Sequence, residues 1–319
     1  MTILTDLRSR TRTWHPLSLR AAAVYGVLAA LCVLAMLVDR RTLMGAPVWA
    51  KPFKFAISGA LYYLTWSWLV TLLPRFRRTA GWITNALVAA FAGEYVLLVF
   101  QAARGRASHF NNATPLDDTI FQIMGGLVIT IWVTTLALTI MIMFSKVEDR
   151  ASYWAVRIGT VLALVGISLA ILMTDPTSLQ MAQMRSGERP DMLGAHTVGL
   201  PDGGPGLPIL GWSTVAGDLR IPHFIGMHAL QALPLLAIGL GLLATRIPKL
   251  RDAAVRTRLV LVGAFGYAGV VALVTWQALR GQSIVHPDSQ TLLAALGLAA
   301  VVALGSVVSL RLPTKVAAR

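Results

Sequence analysis

The chain has 319 residues, 56% of them hydrophobic and only 13% charged, and its formal net charge is +14. With a mean hydropathy of +0.67, so much apolar surface and so little charge exclude an ordinary water-soluble domain. The single cysteine, Cys32, excludes a disulfide framework and a thiolate metal cluster.

A helix needs about 20 apolar residues to cross roughly 30 Å of hydrocarbon. Eight such runs are read at 21–38, 53–73, 82–103, 119–144, 153–174, 221–245, 259–280 and 291–312. The expected fold class is therefore an all-α, polytopic membrane helix bundle of about eight transmembrane helices. Arg8, Arg10, Arg12 and Arg20 precede the first run as they would a signal peptide. Val38, however, is followed by Asp39-Arg40-Arg41 instead of a small-residue cleavage site, so the run is expected to remain as a helix. The termini and the loops at 75–78, 146–157 and 246–258 hold 18 of the 28 Lys and Arg, which predicts both termini on the cytoplasmic side. The chain resembles polytopic proteins common in high-GC bacteria, and that resemblance implies a bacterial cytoplasmic membrane as the expected location. Topology and anionic headgroups account for a pI near 11.0 without a nucleic-acid partner.

Between the runs, Thr114-Pro115-Leu-Asp117-Asp118 reads as a helix start, with a cap, a first-turn proline and acids near the positive end of the helix dipole. Asp175-Pro176 reads as a second start, with Asp175 as N-cap and a short helix to about Ser186. The segment that follows, with His196, Asp202, Trp212 and Asp218 among many Gly and Pro, predicts an irregular loop. Whether that loop is a lid or a partner interface stays open.

An approximate duplication runs through the chain. Gln101-Ala-Ala-Arg104-Gly105 followed by His109 recurs as Gln277-Ala-Leu-Arg280-Gly281 followed by His286. Lys51-Pro-Phe-Lys-Phe55 aligns with Ile221-Pro-His-Phe224, and Leu37-Val-Asp39 with Met173-Thr-Asp175. Elements repeating in order predict two tandem four-helix halves in parallel orientation. These are 21–144 and 153–312, the second carrying an extracytoplasmic insertion at 175–220. A basic segment 1–20 and a tail 313–319 flank them.

Five of the six histidines, His109, His196, His223, His228 and His286, fall on the expected outer side. Glu94 stands ten residues before Arg104, about 15 Å below the helix end at 1.5 Å per residue. An ionisable group at that depth faces protein or a water-filled cavity, which makes Glu94 the candidate catalytic residue. A glutamate that merely hydrogen-bonds two helices is the alternative. His228 lies at a similar depth in the sixth run, with Gln231 on its face, and is a candidate partner for Glu94. With His223 and His109 it forms the candidate metal set. His223 and His228 are five residues apart, about 140° around a helix, and so are not the compact pair of a zinc-helix motif. Pro234 is expected to kink this helix. Gln101, Arg104, Gln277, Arg280 and Lys54 form a candidate ligand rim that holds an anionic group, with snorkelling at helix ends as the alternative.

The four-plus-four layout with cytoplasmic termini resembles the haem A synthase family in helix count and duplication. That family's bis-histidine ligands do not carry over, because Lys54 and Gly59 stand where His223 and His228 align and the second, fourth and eighth runs lack histidine. Ser108-His109, Asp202, His223 and His228 are superficially similar to the Ser, Asp and His of ceramidase and progestin-receptor type hydrolases, at a different spacing and helix count.

The functional expectation is an outward-facing, partly buried His/Glu site in a membrane enzyme acting on a hydrophobic or anionic small molecule, with a divalent metal or haem b as possible cofactor. The alternatives are a proton-coupled small-molecule transporter using Glu94 and a non-catalytic assembly partner in a membrane complex. The lipid bilayer is the one partner composition requires.

Overall fold

The computed structural model describes residues 11–312; the expected tail 313–319 and the start of the basic N-terminal segment lie outside the described residues. The long helices are α1 (Pro16–Val38), α2 (Ala50–Leu69), α3 (Arg77–Ala103), α4 (Pro115–Met143), α5 (Arg150–Ser168), α7 (Arg220–Met227) running into α8 (Ala229–Leu243), α9 (Ala253–Leu279) and α10 (Ser289–Arg311). A short α6 (Ser178–Arg185) lies in the insertion, and 3-10 turns extend α2 through Val70–Leu72 and α5 through Leu169–Met173. Seven of these spans are long and apolar enough to cross a membrane, and α7 with α8 makes an eighth, bent by 44°. This is an all-α, multi-pass membrane bundle. Helices α3 and α9 begin several residues before the apolar runs, because Arg77, Arg78, Arg256 and Arg258 continue the helix where hydropathy alone sees a boundary.

Two local expectations need correction. The cap of α6 is Thr177, not Asp175. Thr177 accepts from the Gln180 N–H while the Gln180 side chain accepts from the Thr177 N–H, so a reciprocal capping box satisfies two helix-end donors at once. The bend in the sixth span falls at His228, not at Pro234, which stays inside α8. His228 has ψ 0, so the helix turns there before the proline's missing N–H is reached. Thr114 caps α4 as expected, accepting from Asp117 N.

Each set of four spans has the same neighbour order. In the first, α1 packs on α2 and α3, α2 on α3, and α3 on α4; in the second, α5 packs on α7, α8 and α9, the α7–α8 pair on α9, and α9 on α10. The packing chemistry differs. The first set is filled by rings, with Tyr25 edge-on to Tyr63 at 5.0 Å and to Phe91 at 5.6 Å. Gly59 makes room for them, since a Cβ there would lie 2.6 Å from the Tyr25 ring. In the second set small residues bring backbones together, as apolar surroundings favour where burial from water supplies no force. A Cβ on Gly159 would meet Ala229 O at 2.9 Å, and one on Gly166 would meet Met227 N at 2.1 Å.

The insertion is ordered over one end of the bundle, the loop end. A two-residue ladder pairs β3 (Thr197–Val198) with β4 (Gly217–Asp218). The α3–α4 loop is tied to it by Asn112 N to Asp191 O at 2.7 Å and Leu193 N to Phe110 O at 2.8 Å. A short hairpin of β1 (Thr42–Leu43) and β2 (Ala46–Pro47) approaches from the other side, where Gly45 faces Gly203 so closely that a Cβ would lie 2.9 Å from its carbonyl.

Candidate functional site

A cavity of about 870 Å³ opens under this roof, walled by α2, α3, α4, the end of α5, α7 and the insertion. Its lining is mostly apolar, with Phe55, Phe91, Met124, Ile131 and Phe224 among the wall residues. The charged and histidine side chains that reach it are Glu94, His109, Lys51, Lys54, Arg106, His223, Arg220 and the pair His196 and Asp202.

Glu94 is 1% exposed. Its carboxylate oxygen Oε1 lies 3.2 Å from His109 Nε2, yet the contact is misaligned, and neither Glu94 oxygen has a hydrogen-bond donor among the described residues. A buried carboxylate without donors is costly. On the opposite edge of the imidazole, Lys51 Nζ lies 3.0 Å from His109 Nδ1, and Ser108 Oγ is also 3.0 Å away. The Nδ1 edge of the ring thus faces Lys51 and Ser108, and the Nε2 edge faces Glu94. Burial first, and then the Lys51 charge, push the His109 pKa down against the opposing pull of Glu94. The imidazole is therefore neutral near pH 7, poised between an amine and a carboxylate. Phe110, the next residue, is buried with φ 62, a conformation costly for a side chain of its size and one that clusters at functional sites.

The insertion contributes His196, whose Nδ1 lies 2.5 Å from Asp202 Oδ2, while Asp202 also accepts from the backbone N–H of His196 and Thr197. Burial pushes the His196 pKa down to about 4, outweighing the nearby carboxylate. Burial raises the Asp202 pKa, but the His196 and backbone hydrogen bonds overcome it and hold the carboxyl well below its usual range.

The candidate residues separate into two groups. Glu94, His109, His223 and Lys54 reach the cavity, and Lys54 Nζ donates to Leu210 O at 2.6 Å. His228 does not line it: Nε2 lies 3.4 Å from Ser58 Oγ and Nδ1 3.2 Å from Gln231 Oε1. Glu94 thus meets His109, from the loop after its own helix, and not His228. The expected metal set His228, His223 and His109 does not come together at metal-holding distance, and His223 places its Nδ1 2.8 Å from Gly166 O. Among the described residues no group of three or more His, Cys, Asp or Glu gathers at metal-holding distance.

The duplicated segment builds the same helix ending twice. Gln101 Nε2 donates to Ala107 O and Gln277 Nε2 to Ser283 O, six residues on in each case. Gly105 and Gly281 turn the chain at φ 67 and φ 70. Arg104 Nη1 lies 2.7 Å from Asp117 Oδ1, and Arg280 pairs with Asp288 at the start of the next helix. The arginines expected to rim a ligand are satisfied by aspartates of their own chain, and none of Gln101, Arg104, Gln277 and Arg280 lines the cavity.

Sequence reasoning missed Lys51, Arg220 and the His196–Asp202 pair. Lys51 had a local signal, a basic residue opening an apolar run with no acid nearby in sequence. No family model, curated protein or solved structure matches this chain.

Proposed function

We propose that this protein binds a hydrophobic small molecule in the loop-end cavity and performs proton-transfer chemistry on it with Glu94 and His109, as a membrane enzyme whose cavity end faces outward. The observation that carries the reading is the pair of donor-less oxygens on buried Glu94, 3.2 Å from a neutral imidazole and beside an apolar cavity. A buried carboxyl group held this way is completed by a hydrogen-bond donor on a ligand. His109 relays a proton between Lys51 and Glu94, accepting it at one ring nitrogen as the other gives one up, so the ring itself gains no net proton. Water is displaced by the apolar walls, which strengthens each of these contacts.

The test is purification in native lipid nanodiscs, followed by mass spectrometry of what the cavity retains. A ligand present near one copy per chain, and lost in Glu94→Gln and His109→Gln, supports the reading. An empty cavity together with unchanged physiology of both variants removes it.

The shared neighbour order of the two four-span sets favours a second reading, transport by rocking of two halves about the Glu94 level. A proton-coupled flux in reconstituted vesicles that disappears in Glu94→Gln supports it, and a flux indifferent to that change rules it out.

A further inference from the structure

The cavity wall is incomplete between α4 and α5. Val128, Ile129 and Trp132 of α4 and Ile167 and Ile171 beyond them line the cavity, and Ile129 is 65% and Ile171 66% exposed. Wall residues as exposed as these frame an opening. Gly125, which also lines the cavity, widens it, since a Cβ there would meet nothing within 4 Å. Below the opening, Trp132 Nε1 donates to Ser168 Oγ at 2.9 Å and clamps the two helices together. The frame is apolar and lies within two membrane-crossing spans, so it faces lipid chains, not water.

We propose that this opening is a lateral portal, and that the ligand is a single-chain amphiphile from the leaflet on the loop side. The acyl chain lies between α4 and α5, and the headgroup gives a hydrogen bond to Glu94 and accepts one from Lys51. The proposal rests on the binding site described above and names the class of molecule it takes. Two features select that class. The portal is apolar along its length, which suits a hydrocarbon chain. The Glu94 oxygens lack donors while the neighbouring Lys51 is itself a donor, which suits a head carrying both an N–H or O–H group and an anionic or carbonyl oxygen.

The probe is a monoacyl phosphatidylethanolamine with a diazirine near the chain end, in nanodiscs containing the full chain. Photolabelling is expected to concentrate on peptides spanning 121–132 and 167–174. Gly125→Trp and Ile129→Trp, which plug the portal from positions with open space or lipid exposure, are expected to lower it at least about tenfold. Label spread over the lipid-facing helices such as α10, whose span is only 6% buried, and unchanged by either plug overturns the proposal. Melting of each variant is followed in parallel, and either plug alone suffices if the other does not fold. The two readings fail separately. Portal labelling indifferent to Glu94→Gln leaves the portal and removes the polar site, whereas labelling lost in Glu94→Gln but kept in both plugs removes the portal.

Discussion

Gly166 of α5 and Gly226 of α7 pack backbone against backbone, so closely that a Cβ on Gly226 would lie 2.6 Å from the Gly166 Cα. The same contact lets His223 Nδ1 reach Gly166 O at 2.8 Å, so helix packing and the orientation of a cavity histidine share one cause. Gly166→Ala would place its Cβ 2.1 Å from Met227 N and 2.2 Å from Gly226 C. Both are main-chain atoms that cannot step aside. The variant is expected to lose folded yield, read as detergent-extracted monomer by size-exclusion chromatography. Gly126→Ala, which meets nothing within 4 Å, is expected to match the parent.

The two copies of the Arg–Asp helix ending are not equal in energy. Asp117 is 0% exposed whereas the Asp288 side chain is 37% exposed. Arg104→Met leaves a buried carboxylate without its counter-ion, at a cost of about 3 kcal/mol. Arg280→Met leaves Asp288 to water and is expected to change little. Thermal unfolding in detergent separates them: a clear fall in melting temperature for the first variant and a near-parent value for the second. Arg104→Met paired with Asp117→Asn is expected to recover most of the loss.

Acid is expected to destabilise the roof of the cavity. The unfolded chain protonates His196 near its ordinary value of 6.5, while the folded chain holds it neutral down to about 4. Between those values the unfolded state binds the extra proton, so stability falls as pH drops from about 6.5 toward 4. His109, also pushed down by burial, acts in the same direction. Melting temperatures measured from pH 7.5 to pH 4.5 should decline, and His196→Gln should flatten the decline. A profile that rises on acidification contradicts the neutral-histidine assignment.

At Glu94, function and stability oppose each other. Glu94→Gln keeps the shape and replaces a buried carboxyl group whose oxygens no donor satisfies, so the variant is expected to melt at or above the parent temperature while losing bound ligand. Loss of stability in this variant would mean that Glu94 is a structural link between helices.

Much of the frame is legible in the sequence alone. All eight spans fall where apolar runs occur, because the need to satisfy every backbone group inside hydrocarbon acts on each segment separately. Thr114 could be read as a cap for the same reason. Asp175 was read where Thr177 serves, since both residue types cap helices and only the reciprocal bond to Gln180 distinguishes them. Glu94 stood out by depth alone. His228 stood out on the same criterion, but its helix turns the side chain toward Ser58 and Gln231.

Local composition is enough to settle the membrane class, the positions of the spans and the unusual cost of Glu94, because hydropathy and charge burial act within a few residues. The partner of Glu94, the closing of Arg104 on Asp117, the dispersal of the histidines and the portal between α4 and α5 depend on how helices rotate and how closely they approach. Those quantities are set by contacts such as Gly166 with Gly226 and by the fold of the insertion, between residues far apart in the chain. No single segment carries them.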